Sequence, residues 1–214
     1  PAVKEAKNKF SQGLIGKLMF IRGIYAHAGR EGYEKEWWCK KELSGGGELI
    51  DQCSHLLDLA QWFSGPFSQI SAVLQTAFWE IAPMEDNAFV LLKNKLGQVV
   101  SLHASWTHWK KTFRWEVFGQ DGYFIVDGLG GQYGMERLIH GERKFGRETP
   151  DEQIFEFPSV TGKPDIALCN SWEEFIQSIE EGHDIGSTAQ DAVTVLNLIE
   201  AGYKSAEKGA IIDL

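Results

Sequence analysis

Three cysteines in 214 residues, Cys39, Cys53 and Cys169, exclude a disulfide framework, since the number is odd and no pair has CxxC spacing. They read as buried or idle thiols of a reducing compartment, so a cytoplasmic location is expected. No apolar run approaches the ~18 residues of a membrane span, and no basic, apolar, small-residue leader opens the chain. Basic clusters are missing too, and a net charge of -9 argues against nucleic acid as the main partner. None of the six histidines belongs to an HxxxH or HExxH pattern, so no metal site is expected, and no GxSxG marks a nucleophile. The run Gly128-Leu129-Gly130-Gly131-Gln132-Tyr133-Gly134 follows a strand but fails as a dinucleotide fingerprint. Position 133 is tyrosine, and no helix or βαβ unit follows. It reads as a tight glycine turn with Tyr133 as a pocket wall.

What is present is an ordinary globular composition, 43% hydrophobic and 24% charged, in a chain long enough for one large domain. The chain starts inside a helix and without methionine, as if cut from the middle of a longer protein. After Gly13 and Gly16 a strand is expected over 17–27. A loop rich in glycine, charge and tryptophan, 28–47, then leads to an amphipathic helix closed by Gly65-Pro66. There the hydrophobic period changes from 3.6 to 2, predicting strands near 68–78, 87–93, 98–109, 113–119 and 123–127, with weaker ones at 135–140 and 153–157. In the third of these, Val100, Leu102, Ala104 and Trp106 alternate with Ser101, His103, Ser105 and Thr107. Such a sheet is covered on one side, with the other polar or used in association. Capping boxes at 171–174 and 187–190 predict two closing helices, the last over 187–208 with a stripe of Ala192, Val193, Leu196 and Ile199. Gly209 stops it before a short strand over 210–214. A block of strands flanked by helices predicts an α+β fold: a large, mostly antiparallel sheet with helices packed on one face.

The helix entered through Ser44-Gly45-Gly46-Gly47 carries the candidate chemistry. At 100° per residue Asp51, His55 and Asp58 fall within about 60° of one another. Leu49, Ile50, Cys53, Leu56, Leu57, Ala60 and Phe63 fill the opposite arc. An imidazole with a carboxylate one turn away can move a proton near neutral pH, although the same spacing also occurs as a weak surface pair. Three consecutive glycines permit a close backbone approach. Trp62 shares the polar face, and Trp37 and Trp38 lie in the loop before it, placed either to stack on a sugar ring or to fill a core.

These residues resemble the signature of the C-terminal domain of the Gfo/Idh/MocA oxidoreductases: Ser44-Gly-Gly-Gly-Glu-Leu-Ile-Asp51, then His55 and Asp58. Pro1-Ala2-Val3, Asp86-Asn87-Ala88-Phe89, His103-Ala104-Ser105-Trp106 and Gln190-Asp191-Ala192 also fit. Gly29-Arg30-x-Gly32-Tyr33 and the Gly128–Gly134 run resemble a branch acting on sugars or their derivatives. The resemblance implies an NAD- or NADP-dependent enzyme of two domains, with the Rossmann domain absent from this chain. Residues 1–16 would be a linker helix from that domain and 17–214 the substrate-binding and oligomerisation domain. It implies that His55 handles the proton of the substrate hydroxyl and that Asp51 binds and orients the reacting hydroxyls. Together with the residues above, it puts Asp58, Arg30, Trp38, Trp62 and Tyr133 at the substrate, a sugar or polyol, in a homo-oligomer formed through the sheet. The family's Glu-Lys-Pro lysine has no counterpart, because the Lys-Pro of this chain, Lys163-Pro164, follows Gly162. The fragment alone is therefore expected to be inactive. Gln52-Cys53-Ser54 stands where many relatives carry a glycine and an apolar residue. The competing reading is a non-catalytic carbohydrate-binding or oligomerisation module.

Overall fold

A computed structural model describes residues 1–146, 148, 150–159 and 166–214, and Lys163-Pro164 lies outside them. The strands are β1 (Leu18–Ala26), β2 (Phe67–Gln75), β3 (Asn87–Asn94), β4 (Val99–Ser105), β5 (Thr112–Gly119), β6 (Gly122–Asp127), β7 (Glu136–Glu142), β8 (Glu152–Phe157) and β9 (Ile212–Asp213). They form one sheet in the order β8-β7-β6-β5-β1-β4-β3-β2-β9. Its centre holds the one parallel pair among the described residues, β1 with β4, and the other pairings are antiparallel. Helices α1 (Ala2–Ser11), α2 (Lys41–Ser44), α3 (Gln52–Ser64), α4 (Ile166–Glu181) and α5 (Ala189–Lys208) complete the α+β fold. None of them is long and apolar enough to cross a membrane among the described residues.

The predicted apolar arc positions α3 across β1 and β4. Cys53, Leu56, Leu57, Ala60 and Phe63 share one core with Ile21, Val100, Leu102, Ala104 and Trp115. Gly23 makes room for that contact, since a Cβ there would stand 2.7 Å from the Trp115 ring. Burying each large side chain contributes roughly 1.5–3 kcal/mol, so this seam holds α3 rigidly on the sheet. Gly65, at φ +73°, ends the helix as expected.

Other boundaries move. The 171–174 box lies inside α4, where the Ser171 hydroxyl donates to the Ala167 carbonyl (3.0 Å) instead of capping. The last cap shifts by one residue: Thr188 is the N-cap of α5, with Asp191 as its reciprocal partner. The buried stripe of α5 is Val195, Leu198, Ile199, Ala201, Gly202 and Ser205, whereas Val193 and Leu196 are exposed. Small residues decide that rotation, since Gly202 lets the helix backbone approach Leu49 and Ser205 donates into the turn after it. The helix-free face of the sheet is mixed rather than polar. His103 stacks on Phe89 (4.1 Å between ring centres) and Phe20 on Phe118 (4.8 Å), with Arg22, Arg114 and Glu116 between them.

Candidate active site

The residues of interest meet where the C-terminal ends of the parallel pair β1 and β4 open beside the start of α3. Extended alternation brings Tyr25 to the helix-covered side of β1, with its ring 5.9 Å from that of His55 and 5.1 Å from that of Tyr133. His27 follows on the same side. Its Nδ1 accepts the Gly29 N–H (2.8 Å), so the neutral ring carries its proton on Nε2. Burial, and then Lys111 and Arg30, lower the pKa of His27 against the opposing pull of Asp51.

The glycine run is stapled from behind. The Glu85 carbonyl accepts the Glu48 N–H (3.1 Å), while its carboxylate accepts the Leu49 N–H (3.0 Å) and the Tyr203 hydroxyl (2.8 Å). A Cβ on Gly47 would stand 2.0 Å from the Glu85 carbonyl oxygen, and one on Gly46 2.0 Å from the Tyr203 hydroxyl. The close approach that three glycines permit is therefore made to the chain itself. Its effect is to present Asp51 at a fixed place.

Asp51 is not on the helix, as the 100° projection assumed. It is the N-cap residue, at φ −77° and ψ −96°, and its side chain caps nothing. Its Oδ2 accepts the Trp106 indole N–H (3.2 Å) instead. No hydrogen bond or ion pair links Asp51 to His55 among the described residues, and both side chains reach solvent. The pair is thus two separate exposed groups at the N-terminal end of α3.

Trp106 is itself fixed from across the sheet. The Asp86 carboxylate accepts the N–H groups of Ala77, Phe78 and Trp79 (2.7, 2.8 and 3.0 Å), and the Trp79 indole donates to the Trp106 carbonyl (2.9 Å). Tyr33, Trp38, Trp79 and Trp106 form a second small core under the loop after β1. Arg30 lies over this floor, 5.5 Å from the Trp38 ring and 5.8 Å from that of Tyr33, with an ion pair to Glu36 (2.5 Å).

Of the residues singled out in the sequence, the fold gathers Asp51, His55 and Tyr133, with Arg30 and Trp38 on the flanking aromatic floor. Asp58 turns into a groove between α3 and α5 that His55 also lines, beside Thr188 and Asp191. Burial, and then the Asp191 charge, raise its pKa. Trp62 stands apart, seven residues or about 10 Å along the axis from His55. There Lys7 donates to its carbonyl (2.7 Å) and lies 5.7 Å over its ring. Sequence reasoning missed Tyr25, His27, Glu48 and Trp106. The end of a strand beside a glycine-rich loop is the signal that could have marked Tyr25 and His27. Glu48 carried none.

The arrangement defines an α+β domain whose site offers a carboxylate, an imidazole and phenols to a polar ligand. A family profile described as the GFO/IDH/MocA C-terminal domain matches residues 3–125, and the chain belongs to that family. Levoglucosan dehydrogenase of Pseudarthrobacter phenanthrenivorans is 35% identical over 78 residues, 36% of this chain and 20% of that protein. The NADP-dependent scyllo-inositol 2-dehydrogenase of Bacillus subtilis is 24% identical over 200 residues, 83% of this chain and 52% of that one. A solved levoglucosan dehydrogenase, in complex with NADH and levoglucosan, superposes on the whole chain with a TM-score of 0.83 at 21% identity, 63% of its own length being covered. The chain thus spans less than two thirds of the length of these relatives.

Proposed function

We propose that this chain is the substrate domain of an NAD(P)-dependent oxidoreductase that moves a hydride between nicotinamide and a carbinol or carbonyl carbon of a sugar, polyol or sugar derivative. The observation that carries the reading is that Asp51 and His55, both solvent-exposed, stand at the N-terminal end of α3, the first held by Trp106 and the helix by its apolar seam. Asp51 accepts hydrogen bonds from two neighbouring substrate hydroxyls and sets their orientation. His55 takes the hydroxyl proton in the oxidative direction and returns it in the reductive one. Tyr25 and Tyr133 close one side of the ring, while Arg30 and Trp38 bound the other.

Nothing among the described residues cradles a dinucleotide. The Gly128–Gly134 loop runs from β6 to β7 and offers no helix N-terminus to a pyrophosphate. The donor set here suits a polyhydroxy compound, so the cofactor is held mainly by another domain and supplies the two-electron acceptor or donor. The mixed aromatic and charged face of the sheet, with Phe20, Phe89 and Leu91 exposed, is where a second copy would associate. The test is turnover of levoglucosan, scyllo-inositol and a panel of other sugars by the full-length protein, read as nicotinamide absorbance with NAD and NADP. Reduction with a member of the panel is expected. Sugar binding without any absorbance change would favour the carbohydrate-binding module instead.

A further inference from the structure

Behind Asp51 lies a polar chain that the acid–base reading does not use. The Tyr25 ring meets that of Tyr133 edge-on, with 5.1 Å between ring centres. The Gln52 amide, buried in the first turn of α3, has its orientation fixed by what it faces. Its oxygen accepts the Tyr133 hydroxyl (3.2 Å), and its nitrogen donates to the Tyr25 carbonyl (3.0 Å) and to Glu48 Oε1 (3.2 Å). The Glu48 side chain is wholly buried, and among the described residues its Oε2 has no partner. Glutamine at position 52, where an apolar residue would pack as well, is therefore joined to three groups at once.

We propose that Gln52, anchored by Glu48, is a positioning residue that commits the proton of Tyr133 inward, so that its phenol oxygen is left to the pocket as an acceptor for a substrate hydroxyl. A phenol has one proton to donate and two lone pairs. Once the proton is spent on the next member of the chain, only acceptor capacity is left for a ligand. The wall then selects hydroxyl donors and rejects a deoxy or O-methyl group at the same place, because a buried acceptor left unpaired is costly. Burial supports this polarity by raising the pKa of the Tyr133 phenol and that of the Glu48 carboxyl, which keeps both protonated.

The inference rests on reading the site as a sugar pocket, and two measurements separate its failure from that of the reading. The first needs no turnover. In protein carrying 13C-labelled tyrosine, Gln52→Met keeps the side-chain volume and removes the amide, and it should shift the Tyr133 ring resonances. Glu48→Met should shift them likewise, whereas Glu48→Gln, which keeps an oxygen for the Gln52 amide, should not. Resonances unmoved in Gln52→Met would overturn the proposal, whether or not any sugar is turned over. The second uses the best substrate among levoglucosan, scyllo-inositol and glucose. Gln52→Met and Tyr133→Phe should each raise KM about tenfold, the scale of one hydrogen bond, with kcat within about threefold. The double variant should be no worse than the weaker single variant, since both remove one device. A roughly hundredfold, additive rise would overturn it, as would an unchanged KM in Gln52→Met.

Discussion

The two ends of α3 share one apolar back and differ in everything else. At its C-terminal end Gly65 stops the helix, Trp62 lies on the surface, and Lys7 covers it through a carbonyl bond and a ring contact. At its N-terminal end four segments distant in sequence meet: the end of β1, the stapled glycine run, the turn after β4 and the Tyr133 loop. Hydrophobic burial holds both ends equally, and only the second gathers groups that can bind or move a proton. A helix face is a matter of periodicity. A site depends on which other chain segments reach that face, and at what height.

This contrast can be broken most directly at His55. In the full-length protein His55→Ala should lower kcat by 10²-fold or more, the usual scale for a general acid–base group. Trp62→Ala should leave kcat and KM within about twofold. Comparable losses in the two variants, measured with the same sugar, would erase the distinction between the ends. Asp51→Asn should raise KM and lower kcat together, because the amide offers only one acceptor where the carboxylate offers two. Wild-type kinetics would remove Asp51 from the site.

Stability sharpens the comparison on a smaller scale. Gly47→Ala forces a Cβ against the Glu85 carbonyl and should cost roughly 1–3 kcal/mol in denaturant unfolding. Gly65→Ala meets open space, so its cost of roughly 1–3 kcal/mol comes from the glycine-only backbone (φ +73°, ψ −165°) and not from a clash. A small cost at Gly47 would mean that the glycine run is not stapled. The smallest effect is a pH dependence. Glu48 holds its proton in the fold to a higher pH than in the unfolded chain, so stability is complete below the ordinary carboxylate range and falls as pH rises through and above it. Glu48→Gln cannot ionise, and its melting temperature should gain on that of the parent protein steadily from pH 5 to pH 8. A constant difference would show that Glu48 is not a neutral acid.

The hydrophobic periods marked the sheet, its hairpins and the buried arc of α3, because each is local and repeats along the chain. They could not show that Asp51 stands outside the helix. That depends on where the Glu85 staple releases the backbone, and Glu85 is 34 residues further along the chain than Asp51. The Asp51–Trp106 and Gln52–Tyr133 contacts are likewise products of sheet topology, and no spacing encodes them. The α5 stripe was misplaced for a related reason. Gly202 and Ser205 add little to a hydrophobic pattern, yet they let the helix come closest to its neighbours.

The most direct measurement is a crystal structure of the full-length protein with nicotinamide cofactor and a sugar that it turns over. The account predicts the reacting hydroxyl within about 2.6–3.2 Å of His55 and a neighbouring hydroxyl on the Asp51 carboxylate. A sugar seated over Trp62 or on the helix-free face of the sheet, with His55 and Asp51 still in water, would contradict it.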